Sequence, residues 1–188
     1  GFDCVAIYLR NNPESRFFSK KGLILGGSHS PSPLNSEAHQ GDLSAVLLQN
    51  LNPLVNLIRV PKKPIILMDE WESKIKAIVE NTWNKDVNSL SGVPSWMLVL
   101  IKAVLKKTGR EYLTDVWPNL EVFFHGGISF EPYREQYKTL IPSNKMHYME
   151  TYNASEGFFG LQDDPTDPSL LMMPDYGIFY EFIPMNEV

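Results

Sequence analysis

The sequence predicts an α/β protein: a partly parallel sheet flanked by helices, read as an incomplete portion of a larger domain. Three observations predict it. Residues 120–124 form a short apolar run, followed by Gly126-Gly127, a helical pattern over 130–140 and a second β run over 145–151. Strand, turn, helix and strand within about 30 residues make the unit that joins two parallel strands. Upstream, two stretches carry apolar residues at helical spacing, at 69–83 and 96–107. Gly22-Leu23-Ile24-Leu25-Gly26-Gly27-Ser28 then reads as a further buried strand that ends in a turn.

The elements follow in order. Residues 2–9 alternate loosely and are expected to form a strand. Residues 28–36, with Pro31 and Pro33, read as a loop. Residues 42–51 are helical in pattern, with Leu43, Val46, Leu47 and Leu51 on one stripe. Pro61 and Pro64 break the chain. Asp69 is expected to cap a helix reaching Trp83, whose stripe is Trp71, Ile75, Ile78, Val79 and Thr82. The helix over 96–107 follows Pro94, with Ser95 expected as its cap. Lys106 and Lys107 fall in its last turn and Gly109 stops it. In the crossover helix Tyr133, Tyr137 and Leu140 share a face. Residues 176–183 alternate aromatic and aliphatic side chains and are expected to close as a strand.

Composition narrows the function classes. A net charge of −5 gives no basic footprint, which argues against a nucleic-acid partner. No run of about 18 apolar residues suits a membrane span. The single Cys4 has no partner for an intrachain disulfide and fits a reducing compartment, so a cytoplasmic protein is expected. His29, His39, His125 and His147 are scattered, without zinc spacing, and His125 and His147 are read as structural.

Ligands of open α/β sheets bind beyond the carboxyl ends of the strands. The two strands of the crossover unit end in His125-Gly126-Gly127-Ile128-Ser129 and Tyr152-Asn153-Ala154-Ser155-Glu156-Gly157. Paired glycines let a planar ligand approach bare backbone. Tyr152 offers an aromatic face and Ser155 a hydroxyl. Glu156 offers the kind of hard carboxylate that Mg²⁺ takes beside substrate phosphates. That inventory suits a nucleotide. The plainer alternative is a glycine turn and a solvated loop. Gly26-Gly27-Ser28 lacks the lysine and the glycine spacing of a phosphate loop and is read as a turn.

The residues from Tyr152 to Gly160 resemble the second adenylation motif of the auxin-responsive Gretchen Hagen family of acyl-acid amido synthetases. So do Asp164-Pro165, Ser169-Leu170-Leu171-Met172-Met173-Pro174 and Tyr180-Glu181-Phe182-Ile183-Pro184. Upstream, Gly92-Val93-Pro94-Ser95-Trp96-Met97, Trp117-Pro118-Asn119 and Phe124-His125-Gly126-Gly127 continue the resemblance in register. It implies that Gly126, Gly127, Ile128, Tyr152 and Asn153 bind the nucleotide. Ser155 would meet the α-phosphate, Glu156 would hold Mg²⁺, and Val93, Trp96 and Phe158 would line the acyl-acid pocket. The implied cofactors are ATP and Mg²⁺; the implied partners are a small carboxylic acid and an amino acid. Ala154 departs from the pattern, since it supplies no hydroxyl. A glycine- and serine-rich triphosphate motif is expected upstream of these residues. A ribose motif and a mobile lid are expected downstream, so residues 1–188 would be one partial domain, inactive by itself. The alternative is a non-catalytic nucleotide- or metabolite-binding α/β module.

Overall fold

The computed structural model describes residues 2–31, 39–41, 43–50 and 55–184. The first element is a helix, α1 (Phe2–Asn11), and not the expected strand. Its buried side chains, Cys4 and Tyr8, stand four residues apart. That is the helical period, and it hides one stripe where a strand would hide every second residue.

Strand β1 (Lys21–Leu25) follows, as expected. β2 (His29–Pro31) pairs antiparallel with β3 (His39–Gly41) where a loop is expected; residues 32–36 of that loop lie outside the described residues. Helix α2 (Leu43–Gln49) forms as expected, and of its expected stripe only the Val46 side chain is among those described. Ala45 and Leu48 are buried, whereas Val46 is exposed. Leu48 Cδ1 fills the space that a side chain at Gly26 would occupy. Leu51 lies outside the described residues.

Short pieces come next: α3 (Val55–Ile58), β4 (Arg59–Val60) and α4 (Lys63–Ile66). α5 (Trp71–Thr82) has the expected stripe, with Ile75, Ile78, Val79 and Thr82 buried. Its cap is Glu70 instead of Asp69. The Glu70 carboxylate accepts from the backbone N–H groups of Glu72 and Ser73, satisfying two donors that helix geometry leaves free. After β5 (Val87–Gly92) comes α6 (Pro94–Thr108). Pro94 occupies its first position, where no N–H is needed, so Ser95 is inside the helix and caps nothing. Gly109 ends it at φ 64°, in the left-handed region.

α7 (Leu113–Val116) leads into β6 (Val122–Gly126). A 3₁₀ turn at Glu131–Tyr133 and α8 (Arg134–Leu140) then cross to β7 (His147–Ala154). β8 (Gly157–Leu161) and β9 (Leu171–Met172) complete the sheet. Residues 176–183 make no strand. Phe179 and Phe182 face solvent, and the segment lies over β8 through Ile178, which fills the space beside Gly157, and Tyr180, against Phe159. Alternation alone makes no strand without a ladder of backbone hydrogen bonds to a neighbour.

The sheet order is β4-β1-β5-β6-β7-β8-β9. The first five strands are mutually parallel, and β8 and β9 run antiparallel. The main core lies on the face carrying α5, α6 and α8, where Leu90, Phe123, Ile101, Trp117 and Tyr137 are buried. On the other face α1 sets Tyr8 against Val122, Met149 and Phe124. Among the described residues no helix is long and apolar enough to cross a membrane.

Gly126 shows how tight the β6–β7 pair is. A Cβ there would overlap the Thr151 carbonyl oxygen and come within 2.8 Å of its Oγ1. Forcing atoms into a packed site costs about 1–3 kcal/mol. Gly126→Ala is therefore expected to cost about 2 kcal/mol of stability, read as a lower urea midpoint at unchanged denaturant slope. An unaltered midpoint would show that the strands separate there freely.

Candidate functional site

Parallel pairing brings the carboxyl ends of β1, β5, β6 and β7 to one edge of the sheet. Three neighbouring strands end there in glycine: Gly26-Gly27, Gly92 and Gly126-Gly127. Gly127 has φ 84°, which a glycine adopts freely and which turns the chain away from the sheet. Gly127 is exposed, whereas Gly26 and Gly27 are buried under Leu48 and Ser44, so the ledge of bare backbone lies at the β6 turn.

Gly126 pairs in register with Thr151, so the glycine turn and Tyr152 emerge side by side, as the sequence requires. The Thr151 hydroxyl donates to the His125 carbonyl at 3.1 Å and ties the two ends together. Tyr152 is 55% exposed. One face of its ring stacks on Phe159, with centroids 5.0 Å apart and planes 30° apart. That contact fixes the ring while leaving area open to a ligand.

The expected loop after Tyr152 is a hairpin. Ala154 pairs with Gly157, so Ser155 and Glu156 are its two turn residues, both exposed. Asn153 is half-buried in β7 opposite Phe158. Among the described residues Glu156 makes no salt bridge, and three or more potential metal ligands gather nowhere. A lone, unpaired carboxylate fits Mg²⁺ held between one protein group and substrate phosphates. Ile128, 39% exposed, follows Gly127 at the ledge.

Of the acyl-pocket residues, Val93 and Trp96 come together with the glycine turn. Val93 Cγ2 lies 3.5 Å from where a Gly127 Cβ would be, and Val93 is also the residue from which α6 starts. Trp96 lies in the first turn of α6 with its ring 5.7 Å from that of Trp71. Phe158 is set apart on β8, where its ring packs on Tyr176 at 5.7 Å.

Two features escape the sequence reading. The Gly26-Gly27 turn is anchored by a buried lysine: Lys74 Nζ donates to the carbonyls of Gly26 (2.7 Å) and Gly27 (3.0 Å). Ser44 Oγ accepts from the Gly27 N–H at 2.8 Å. A lysine inside the apolar stripe of α5 was the available signal. The second feature is a cavity of about 450 Å³ on the α8 face of β6 and β7. His125, Ser129, Arg134, Tyr148, Glu150 and Gln162 are among its lining residues. His125 Nδ1 and the Tyr148 hydroxyl are buried without partners. Burial, and secondarily the Arg134 charge, lowers the His125 pKa to about 4. Burial raises the Tyr148 pKa to about 12 and pushes that of Glu150 up. Arg134 is held by Glu131 at 2.9 Å and lies over Phe130. The signal here was the alternation of β7, which puts Tyr148, Glu150 and Tyr152 on one face.

The GH3 family N-terminal domain matches residues 2–146. The match takes in the ledge, Val93, Trp96 and the glycine turn, and it ends just before β7, so the Tyr152–Glu156 hairpin falls outside it. It also takes in residues 2–91, upstream of the motifs that carry the resemblance. No curated protein matches the chain. With the family domain covering most of its length and its α/β sheet in place, the chain belongs to the GH3 family, whose members are acyl-acid amido synthetases.

Proposed function

We propose that the protein activates a carboxylic acid with ATP as an acyl-adenylate and then passes the acyl group to the amine of an amino acid. In the first step a carboxylate oxygen bonds to the α-phosphorus and pyrophosphate leaves. In the second the amine bonds to the acyl carbon, loses a proton and AMP leaves. One observation carries the reading: the parallel β6–β7 pair sets Gly126-Gly127 beside Tyr152 at the carboxyl edge, with Glu156 at the tip of the hairpin that follows. Family membership supports it.

The base would lie between Tyr152 and the backbone of Gly126, Gly127 and Ile128, beside Asn153. Ser155 would meet the α-phosphate. Glu156 would hold Mg²⁺, which neutralises phosphate charge when bound. Val93 and Trp96 would flank the acid from the start of α6, and Phe158 would reach it only from the far side of β7. Residues 1–188 would be the central part of the adenylating domain, with triphosphate, ribose and lid segments contributed from outside them. Catalysis of this kind rests on positioning and on charge complementarity at phosphorus. Cys4, buried and free, suits a reducing compartment, and we place the protein in the cytoplasm.

The test is acid-dependent ATP–pyrophosphate exchange by the full-length protein, with residues 1–188 alone inactive. ATP binding without exchange for any acid would favour a non-catalytic binding module, a reading to which the missing hydroxyl at Ala154 lends weight. Within the proposed site, Tyr152→Ala is expected to weaken ATP binding about tenfold, since a stacked base is worth about 1–3 kcal/mol. Calorimetric titration showing unchanged affinity would remove Tyr152 from the base site.

A further inference from the structure

The tip of the β7–β8 hairpin is weakly held by its own ladder. Tyr152 pairs with Gly160 and Asn153 with Phe158, so Phe159 is an extra residue on β8. A bulge of this kind interrupts the ladder. Beyond it the pairs Asn153–Phe158 and Ala154–Gly157 lead to the turn residues Ser155 and Glu156. Two strands alone are marginal in water, so a tip this short keeps its place only if something packs against it. Below the bulge, by contrast, Tyr152 follows Thr151, which is paired in register with Gly126 of β6.

The segment after β9 packs against the tip. Ile178 Cδ1 lies 2.5 Å from where a Gly157 Cβ would be, so Ile178 occupies the side-chain space of the residue next to Glu156. The Tyr176 ring packs on Phe158, with centroids 5.7 Å apart. The segment is itself held in three places. The Met173 N–H donates to the Phe159 carbonyl at 2.9 Å. The Tyr180 ring meets that of Phe159 edge-on at 6.4 Å. The Tyr176 hydroxyl donates to the Asp3 carboxylate in the first turn of α1. α1 is anchored in turn by Tyr8, buried against Val122 of β6 and Met149 of β7. The hairpin tip is thus tied, through Ile178 and Tyr176, to a helix packed on the central strands.

We propose that residues 173–180 are a backing that positions the hairpin tip, with Ile178 and Tyr176 as positioning residues and Asp3 as the latch that holds them. The proposal rests on the nucleotide reading above, in which Glu156 holds Mg²⁺, and adds what aims that carboxylate. Glu156 is exposed and among the described residues makes no salt bridge, so its place is set by the backbone that carries it. An electrostatic group contributes to a reaction only when it is held in place beforehand.

The experiment follows acid-dependent ATP–pyrophosphate exchange by the full-length protein as Mg²⁺ is varied, and measures ATP affinity without Mg²⁺ by calorimetric titration. Ile178→Ala empties the space beside Gly157. It is expected to raise the Mg²⁺ concentration for half-maximal exchange about tenfold, within the roughly 100-fold that a misplacement of about 1 Å costs. Its Mg²⁺-free ATP affinity is expected to stay within about twofold of wild type, because Tyr152 lies below the bulge and is held independently. Asp3→Ala, an exposed change, is expected to shift the Mg²⁺ half-point about threefold in the same direction, the worth of one hydrogen bond. Asp3→Asn keeps an acceptor and is expected to restore the wild-type half-point. A purely structural role would reduce the amount of folded enzyme, and so the maximal rate, without moving the half-point. An unmoved half-point in folded Ile178→Ala overturns the proposal; if that variant does not fold, an unmoved half-point in Asp3→Ala overturns it. ATP affinity that falls in step with the Mg²⁺ dependence overturns it as well, since the whole site is then loosened. In each of these cases a shifted half-point in Glu156→Gln leaves the nucleotide reading standing. If Glu156→Gln does not move the half-point either, the metal role of Glu156 and this proposal fail together.

Discussion

Replacing Glu156 with Gln in the full-length protein is expected to slow acid-dependent ATP–pyrophosphate exchange by about 100-fold. The substitution keeps the length and planarity of the side chain and removes only its charge. Glu156 is an exposed turn residue of the β7–β8 hairpin, so folding loses nothing measurable by the change. It lies beyond Tyr152 at the tip of the hairpin, where, on the proposed reading, the phosphates of a nucleotide stacked on Tyr152 would extend. Removing one well-aimed electrostatic group from a transition state costs about 100-fold or more, equivalent to about 2.7 kcal/mol. Raising the Mg²⁺ concentration should recover part of the loss if the defect is weakened metal binding. Exchange at the wild-type rate at limiting as well as saturating Mg²⁺ would leave Glu156 as a solvated turn residue.

The parts of this protein that could be read from its sequence are those governed by local spacing. The α5 stripe, the stop at Gly109 and the β6-turn-α8-β7 crossover all came from periodicity and turn chemistry, and all are present. What failed was decided by contacts distant in sequence. Residues 2–9 alternate, yet they form a helix because Cys4 and Tyr8 must share one buried stripe. On α2 the exposure of Val46 was not foreseen, because Leu48 is the side chain that fills the space beside Gly26, some twenty residues earlier. The final aromatic run packs over β8 through Ile178 and Tyr180 and makes no strand. At the site, register was predictable, since Gly126 and Tyr152 each follow a strand of one crossover unit. The hairpin was not, because β8 pairs with β7 through Gly157–Leu161, a stretch read as motif and not as strand. The ring of buried groups around the cavity depends on side chains from β6, β7, α8 and the segment after β8, which no local pattern unites.

Among those groups His125 has a measurable consequence for stability. It is 3% exposed, stacked on Phe130 at 4.2 Å, and its imidazole is held neutral down to a pKa of about 4. In the unfolded chain the same ring titrates near 6.5. Between those values the unfolded chain binds a proton that the folded chain refuses, so stability falls as the pH is lowered from 6.5 towards 4. Above 6.5 the group contributes no pH dependence, and below 4 the loss is complete. The span corresponds to about 3 kcal/mol. Acids with depressed pKa values, such as Asp86, Asp164 and Asp167, lose their own contribution at more acid pH, while Glu150, pushed upward, acts in the opposite sense. A difference between two proteins isolates the histidine. His125→Phe keeps a ring between Phe123 and Phe130 and removes both the titration and the orphaned Nδ1. Urea unfolding followed from pH 7 to 4 is expected to show the variant losing about 3 kcal/mol less than the wild type over that range. Parallel pH profiles for the two proteins would mean that the imidazole takes up its proton in the folded state, and so that it reaches water or a carboxylate.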